Sequence, residues 1–289
     1  MNIQRPIFIV GAGRSGSTIC HKIFSEHPDV AWLSPLCSTF PAHPRLNKFL
    51  MAAIDYPIIS KHLRKCFTPD ECYDFWEFHC KGFREPCRDL SSDDLTNKTR
   101  HNLRDVMSQM LTDKRSRLLV KITGWPRIGF LRALFADALF IHILRDGRAL
   151  ANSLINVDFW RGWKGPQHWR WGELTPSHRH EWEKYQKSFI VLAAIQWKIL
   201  LHAMERAQKH IETDHFIELK YEHFCSKPLD SFRQLTDFCG LNWSPNFEKS
   251  IRSYNIRNTN FKWRKDLTIS QQNILNEVLY EHLLKYNYI

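Results

Sequence analysis

The sequence predicts a three-layer α/β/α fold with a mostly parallel central sheet. Two observations carry this. Short apolar runs of strand length alternate along the chain with longer stretches of helical periodicity. That alternation of strands with helices argues for a mostly parallel sheet covered by helices on both faces. The first run, "IFIV", passes through a glycine-rich turn directly into a helical stretch.

In order, Ile7–Val10 reads as a buried strand and Ser17–Ser25 as the start of the first helix. "HPDVAWLS" (His27–Ser34) turns the chain and supplies a second apolar run. From Pro41 to Met110 the pattern is mostly helical with proline breaks, which reads as a helical insertion over about 41–112. "LLVKI" (Leu118–Ile122) reads as a central strand. Trp125–Phe135 reads as a helix that tolerates Pro126 in its first turn. "ALFIHIL" (Ala138–Leu144) is another strand, and Gly147–Ile155 opens the next helix. The stretch from Phe159 to Tyr185 holds Trp160, Trp163, Trp169, Trp171 and Trp182 among glycines, prolines and charges. It reads as a long ordered loop over about 158–183. An amphipathic helix over about Lys184–His210, a strand at His215–Glu222 and helices to the end complete the pattern, with Ser270 as N-cap of the last long stretch. No repeat, low-complexity tract or linker interrupts the chain, so residues 1–289 read as one domain.

The 289 residues are 43% apolar and 25% charged, ordinary for a soluble globular protein. The most apolar stretch, from Ser188, is broken by Gln196 and Lys198, so no membrane span is expected. The first strand begins too early for a signal peptide to precede it, and a cytoplasmic location is expected. The formal charge of +11 suits an anionic partner. That excess is spread along the chain without a basic tail, which argues against a dedicated nucleic-acid arm. The eight cysteines include no C-x-x-C pair. Cys66, Cys72, Cys80 and Cys87 lie close together, but their spacing fits no common zinc pattern and reads as reduced thiols.

"GAGRSGST" (Gly11–Thr18) satisfies two phosphate-binding frames at once. Such a P-loop-like turn lets backbone N–H groups and the helix dipole face an anion. A tight βα turn with no ligand is the plainest reading of glycines alone. A dinucleotide site needs an acid at the end of the second strand, where "VAWLSPL" has none. A nucleotide kinase or hydrolase needs a lysine where Ser17 stands, and a magnesium site; Asp146 is a candidate, but Arg145 and Arg148 flank it. A third reading uses Arg14, Ser15, Ser17 and Thr18 as donors to one anion, with no metal. Arg145 at a strand end and Ser153 two turns into the next helix then serve a second anion.

With these paired motifs the chain resembles the sulfotransferases that use 3′-phosphoadenylyl sulfate (PAPS). "GAGRSGST" resembles their 5′-phosphosulfate loop and "LRDGRALANS" (Leu144–Ser153) their 3′-phosphate motif. The segment "LLVKITGWPRIGFLRALFADALFIHILRDGRA" is similar in order and spacing to the tyrosylprotein-type branch, and "ELKYEHF" to a later strand carrying Tyr221. The resemblance implies sulfuryl transfer from PAPS to a hydroxyl or amine, releasing adenosine 3′,5′-bisphosphate. It implies that Arg14, Ser15, Gly16, Ser17 and Thr18 bind the 5′ end, and that Arg145 and Ser153 bind the 3′-phosphate. Tyr221 would support the nucleotide, and Lys121 would contact the leaving oxygen and the sulfonate. Sulfotransferases often close the 3′-phosphate site with a basic C-terminal segment, so Arg264 or Lys265 is expected to reach that phosphate.

The tyrosylprotein-type branch carries a glutamate base after the second strand, where "WLSPLCSTF" (Trp32–Phe40) offers no acid. Glu173 and His168 in the tryptophan-rich loop are the substitutes, provided that loop folds over the site. A protein that keeps the nucleotide pocket but lacks a base is the alternative. The tryptophans with Arg161, Lys164 and Arg170 suit a carbohydrate acceptor, or they staple the loop to the core.

Overall fold

A computed structural model describes residues 2–84, 87–169 and 171–289. Five parallel strands form one sheet in the order β2-β3-β1-β4-β5. They are β1 (Ile7–Gly11), β2 (Val30–Trp32), β3 (Arg117–Thr123), β4 (Leu139–Leu144) and β5 (Phe216–Lys220). β1 is central, registering Ile9 against Lys121 of β3 and Ile141 of β4. β1, β2 and β4 are buried at every position, which is why their sequences show no alternation.

The Ser17–Phe24 helix packs on β1 and β3. The Gly147–Ile155 and Phe189–Gln208 helices pack against each other within a second apolar core. Chain direction across the sheet is opposite for the β1-to-β2 and β4-to-β5 connections, and right-handed crossovers then put their helices on opposite faces. Between β2 and β3 lie the helices Pro35–Thr39, Arg45–Ala53, Pro57–Cys66, Tyr73–His79 and Asn97–Ser108. Arg115, 3% exposed, ties this segment to the sheet by donating to Asp55 Oδ1 at 2.8 Å and to Val30 O at 2.8 Å.

Two boundaries differ from the sequence reading. The long helix expected from Lys184 begins only at Phe189, running Phe189–Gln208, and the stretch before it, expected as a loop, holds a helix of its own, Pro176–Lys184. Gln186 (φ +54°) and Lys187 (φ +57°) adopt left-handed backbone between them, which no continuous helix allows. The cap of the late helix is Thr268 rather than Ser270. Its hydroxyl accepts from the Gln271 N–H while the Gln271 side chain accepts from the Thr268 N–H, a capping box. All eight cysteines are free; Cys72 and Cys80 are buried, whereas Cys66 and Cys87 are exposed. No described helix is long and apolar enough to cross a membrane.

The C-terminal helices dock on Phe189–Gln208 through a histidine pair, His202 Nε2 to His282 Nε2 at 2.8 Å. Burial, then the His202 charge, depresses the His282 pKa from 6.5 to about 4. The unfolded chain therefore takes the proton first as pH falls. This contribution to stability is intact above about pH 6.5 and is lost toward pH 4. The melting temperature should fall through this window, and less steeply in His282→Gln.

Candidate active site

Gly11 ends β1 and Ser17 begins the following helix, so residues 12–16 form the turn. The Ser15 N–H closes it on Ala12 O at 3.2 Å. Gly16 is the helix N-cap, with φ +94° and no capping side chain, and the first turn carries no acid. Its free N–H groups are therefore left to a ligand. Behind Gly16 lies the ring of Tyr221. A Cβ at Gly16 would sit 2.4 Å from Tyr221 Cδ2, so only glycine lets the ring pack there.

Tyr221, the first residue after β5, links the loop to the C-terminal segment. Its hydroxyl donates to Arg257 O at 3.1 Å and meets Thr259 Oγ1 at 3.2 Å. The Arg145 guanidinium lies over the same ring at 4.3 Å and donates to Arg14 O at 2.8 Å and to Thr259 O at 3.2 Å. Burial pulls the Arg145 pKa below the usual arginine value. The side chain nevertheless stays charged, because guanidinium does not deprotonate in proteins. Arg14 Nε donates to Ser153 Oγ at 2.9 Å, so the two motifs touch although 139 positions separate them.

On the other side of the loop lies a cavity of about 430 Å³. Gly13, Arg14, Ser17 and Thr18 line its loop side. Glu71, Tyr73, Thr123, Trp125, Phe159 and Trp171 are among the residues on its other walls, with Arg84 and Arg127. Lys121 interrupts the apolar β3 strand next to it and is only 7% exposed. Its Nζ donates to Thr18 Oγ1 at 2.9 Å and pairs with Glu71 Oε1 at 2.9 Å. Thr123 Oγ1 donates to the same Glu71 oxygen at 2.9 Å. His21, fully buried beside Lys121, is held neutral by burial first and by the Lys121 charge second.

Glu71 reaches this point from the inserted helices. After Pro57–Cys66 the chain returns along the end of β2, where the Asp70 N–H donates to Leu33 O at 2.9 Å and the Cys72 thiol to Ser34 O at 3.1 Å. Tyr73 OH then donates to Thr123 O at 2.7 Å. Glu71 is therefore clamped on both sides and half-buried, at the edge where β2 and β3 end.

A family model described as the Sulfotransferase family matches residues 6–245. The chain belongs to the sulfotransferase family. Its chemistry is PAPS-dependent sulfuryl transfer. Solved structures agree in fold. Sulfotransferase STF9 from Mycobacterium avium superposes with a TM-score of 0.63 at 15% identity, covering 99% of this chain and 77% of that one. STF1 from Mycobacterium tuberculosis H37Rv gives 0.56 at 16%, covering 96% and 76%. The sulfotransferase domain from the curacin biosynthetic pathway gives 0.52 at 15%, covering 96% and 98%. No curated protein matches the chain by sequence.

In this sulfotransferase the fold gathers Arg14, Gly16, Ser17, Thr18, Lys121, Arg145, Ser153 and Tyr221 around one loop. Ser15 is different. Its hydroxyl is buried with no partner and borders a void of about 10 Å³ behind the loop, away from the cavity. Its N–H is already engaged by Ala12 O. Arg264 is exposed, with its guanidinium over Phe261 at 5.0 Å, and it is Thr259 and Asn260 that bond Arg145. His168 and Glu173 are both exposed and neither lines the cavity.

From the tryptophan-rich loop Phe159 and Trp171 line the cavity, Trp171 packing over Gly124. Trp160 is instead a staple, its Nε1 donating to Gln196 Oε1 at 2.8 Å, and Trp169 Nε1 donates to Gly172 O at 2.7 Å. Arg170 lies outside the described residues. Asp146 is 3% exposed, with both oxygens on Arg148, the nearer contact being 2.7 Å. It is thus committed to an ion pair within its own turn. Sequence reasoning missed Glu71, Trp125 and Thr259.

Proposed function

We propose that this enzyme holds the 5′ end of PAPS on the Gly11–Thr18 loop and sulfates a hydroxyl acceptor in the adjoining cavity, with Glu71 as general base. The observation that carries the reading is the Thr18–Lys121–Glu71 chain, two contacts of 2.9 Å that place a cation and a carboxylate beside an anion-binding helix start. The bound donor supplies an activated sulfuryl group.

The protein's part is positioning and charge stabilisation. The loop amides with Arg14, Ser17 and Thr18 hold the phosphosulfate. Lys121 faces the bridging oxygen, on which negative charge grows as its bond to sulfur breaks. Glu71 takes the acceptor's proton as the new oxygen–sulfur bond forms, and the bisphosphate departs with the electron pair of the broken bond. Thr123 and Lys121 share one Glu71 oxygen, and among the described residues no donor occupies Oε2. That oxygen is available to the acceptor hydroxyl. The resemblance to the tyrosylprotein-type branch supports an acid at the end of β2, and here it comes from another segment. The base-less pseudo-enzyme loses its motive once Glu71 is in place.

Arg145, Ser153 and Tyr221 form the 3′-phosphate side, with Thr259 exchanging its contact with Arg145 for phosphate. On the acceptor side, Tyr73, Trp125, Phe159 and Trp171 offer aromatic faces suited to a sugar ring or another flat hydroxyl compound. A cytoplasmic setting suits the free, exposed thiols of Cys66 and Cys87.

Isothermal titration tests the donor assignment. Adenosine 3′,5′-bisphosphate should bind in the micromolar range without metal, and Arg145→Ala should weaken it by roughly 10²-fold, the scale of a lost charge-assisted phosphate contact. Binding of magnesium-ATP alone would overturn the reading and favour a nucleotide kinase.

A further inference from the structure

The inserted helices present a surface unrelated to the cavity. The Pro57–Cys66 helix buries none of its side chains. Ile58 is 95% exposed, Tyr56 67% and Phe49, on the preceding helix, 69%. Among the described residues only Leu63, half-buried against the core, and Arg64, paired with Glu26 at 3.3 Å, hold it to the protein, whereas its other apolar side chains meet water. The charge around them has one sign. Arg45, Lys48, Lys61 and Lys65 are exposed, and none has an acid within ion-pairing distance among the described residues. The sole carboxylate between Phe40 and Cys66, Asp55, is occupied by Arg115 at 2.8 Å and Lys114 at 3.4 Å.

We propose that this face, from Arg45 to Lys65, docks the enzyme on an anionic membrane surface. Phe49, Tyr56, Ile58 and Ile59 enter the boundary between headgroups and acyl chains. Lysines flanking them reach the lipid phosphates and carboxylates with their alkyl stems along the apolar side. Charge complementarity selects this occupant. A second copy of the chain would bring the same four cations against themselves. A side chain as exposed as Ile58 stands clear of its neighbours, which suits insertion between lipids.

Co-sedimentation of the full chain with lipid vesicles tests this independently of any sulfuryl transfer. Vesicles of phosphatidylcholine with about 30% phosphatidylserine should bind at least about tenfold more protein than phosphatidylcholine alone, and added salt should erase the difference. The double variant Phe49→Ser/Ile58→Ser should lose most of the binding, and so should Lys61→Glu/Lys65→Glu. Both should melt like the parent, because the substituted side chains are exposed. Equal binding to neutral and anionic vesicles, no binding to either, or unimpaired binding by both variants would overturn the proposal. So would self-association that Phe49→Ser/Ile58→Ser abolishes, since it would assign the face to a second copy.

Discussion

Replacing Glu71 by Gln lowers kcat by about 10²–10⁴-fold, the range that general-base catalysis supplies, and leaves affinity for adenosine 3′,5′-bisphosphate within about threefold. The split follows from the geometry. Glu71 is linked to the loop through Lys121 rather than by a bond of its own to a loop residue, so the nucleotide's own contacts survive its loss. Gln preserves an oxygen for the Thr123 hydroxyl and for Lys121 but cannot take a proton. The substitution also removes the carboxylate partner of a 7% exposed lysine. Some destabilisation therefore accompanies it, and bound bisphosphate offsets this by placing anionic oxygens near the lysine. Single-turnover kinetics at saturating donor, alongside titration of the bisphosphate, reads both quantities. Full-rate turnover by the variant would remove Glu71 from the chemistry. The parallel variants Glu173→Gln and His168→Gln should turn over at the parent rate, because both side chains are exposed and neither lines the cavity.

The contrast among these acids shows what the sequence could reveal. The strands β1, β2 and β4 were legible because each is a short apolar run between turn residues, and burial on both faces leaves no alternation to misread. The turn-to-helix form of the two motifs was legible because loop and helix start are local features, each fixed by its own neighbours. Their meeting, Arg14 on Ser153 and Arg145 on Arg14 O, follows from β1 and β4 being adjacent in the sheet. Glu71 obeys no such local rule. It is brought to the end of β2 by the long-range bonds of Asp70 to Leu33 and Cys72 to Ser34, after a helical excursion whose path no periodicity encodes. A search for an acid just after β2 in sequence was bound to miss one placed there in space. Ser15 failed in the opposite way. The motif suggests a hydroxyl donor there, but the turn engages its N–H with Ala12 O and sends its hydroxyl inward. The Arg264 expectation rested on the family's basic C-terminal segment, whereas here the fold brings Thr259 to Arg145 and leaves Arg264 stacked on Phe261.

The glycines of the loop look equivalent in the motif and are not equivalent in the fold, so substituting them one at a time gives the second large effect. Gly16→Ala should abolish measurable bisphosphate binding and destabilise the protein by about 2–5 kcal/mol. Left-handed backbone costs a non-glycine residue about 1–2 kcal/mol, and overpacking adds about 1–3 kcal/mol. Here φ is +94° and the new methyl would lie 2.4 and 2.7 Å from the Tyr221 ring. The ring is held by Arg145 and by the Arg257 and Thr259 contacts, so it cannot retreat without releasing the segment that closes the second anion site. One methyl group therefore disturbs both ends of the nucleotide. Gly13→Ala is the control: a Cβ there meets nothing within 4 Å, and the variant should melt within about 1 °C of the parent. For a chain of this length the Gly16→Ala penalty corresponds to a fall in melting temperature of about 3–8 °C. Thermal melts of the two variants, followed by titration with the bisphosphate at a temperature where both are folded, separate lost stability from lost binding. A Gly16→Ala protein that melts and binds like the parent would mean that Tyr221 does not pack behind the loop, and the coupling of the two anion sites through its ring would fall with it.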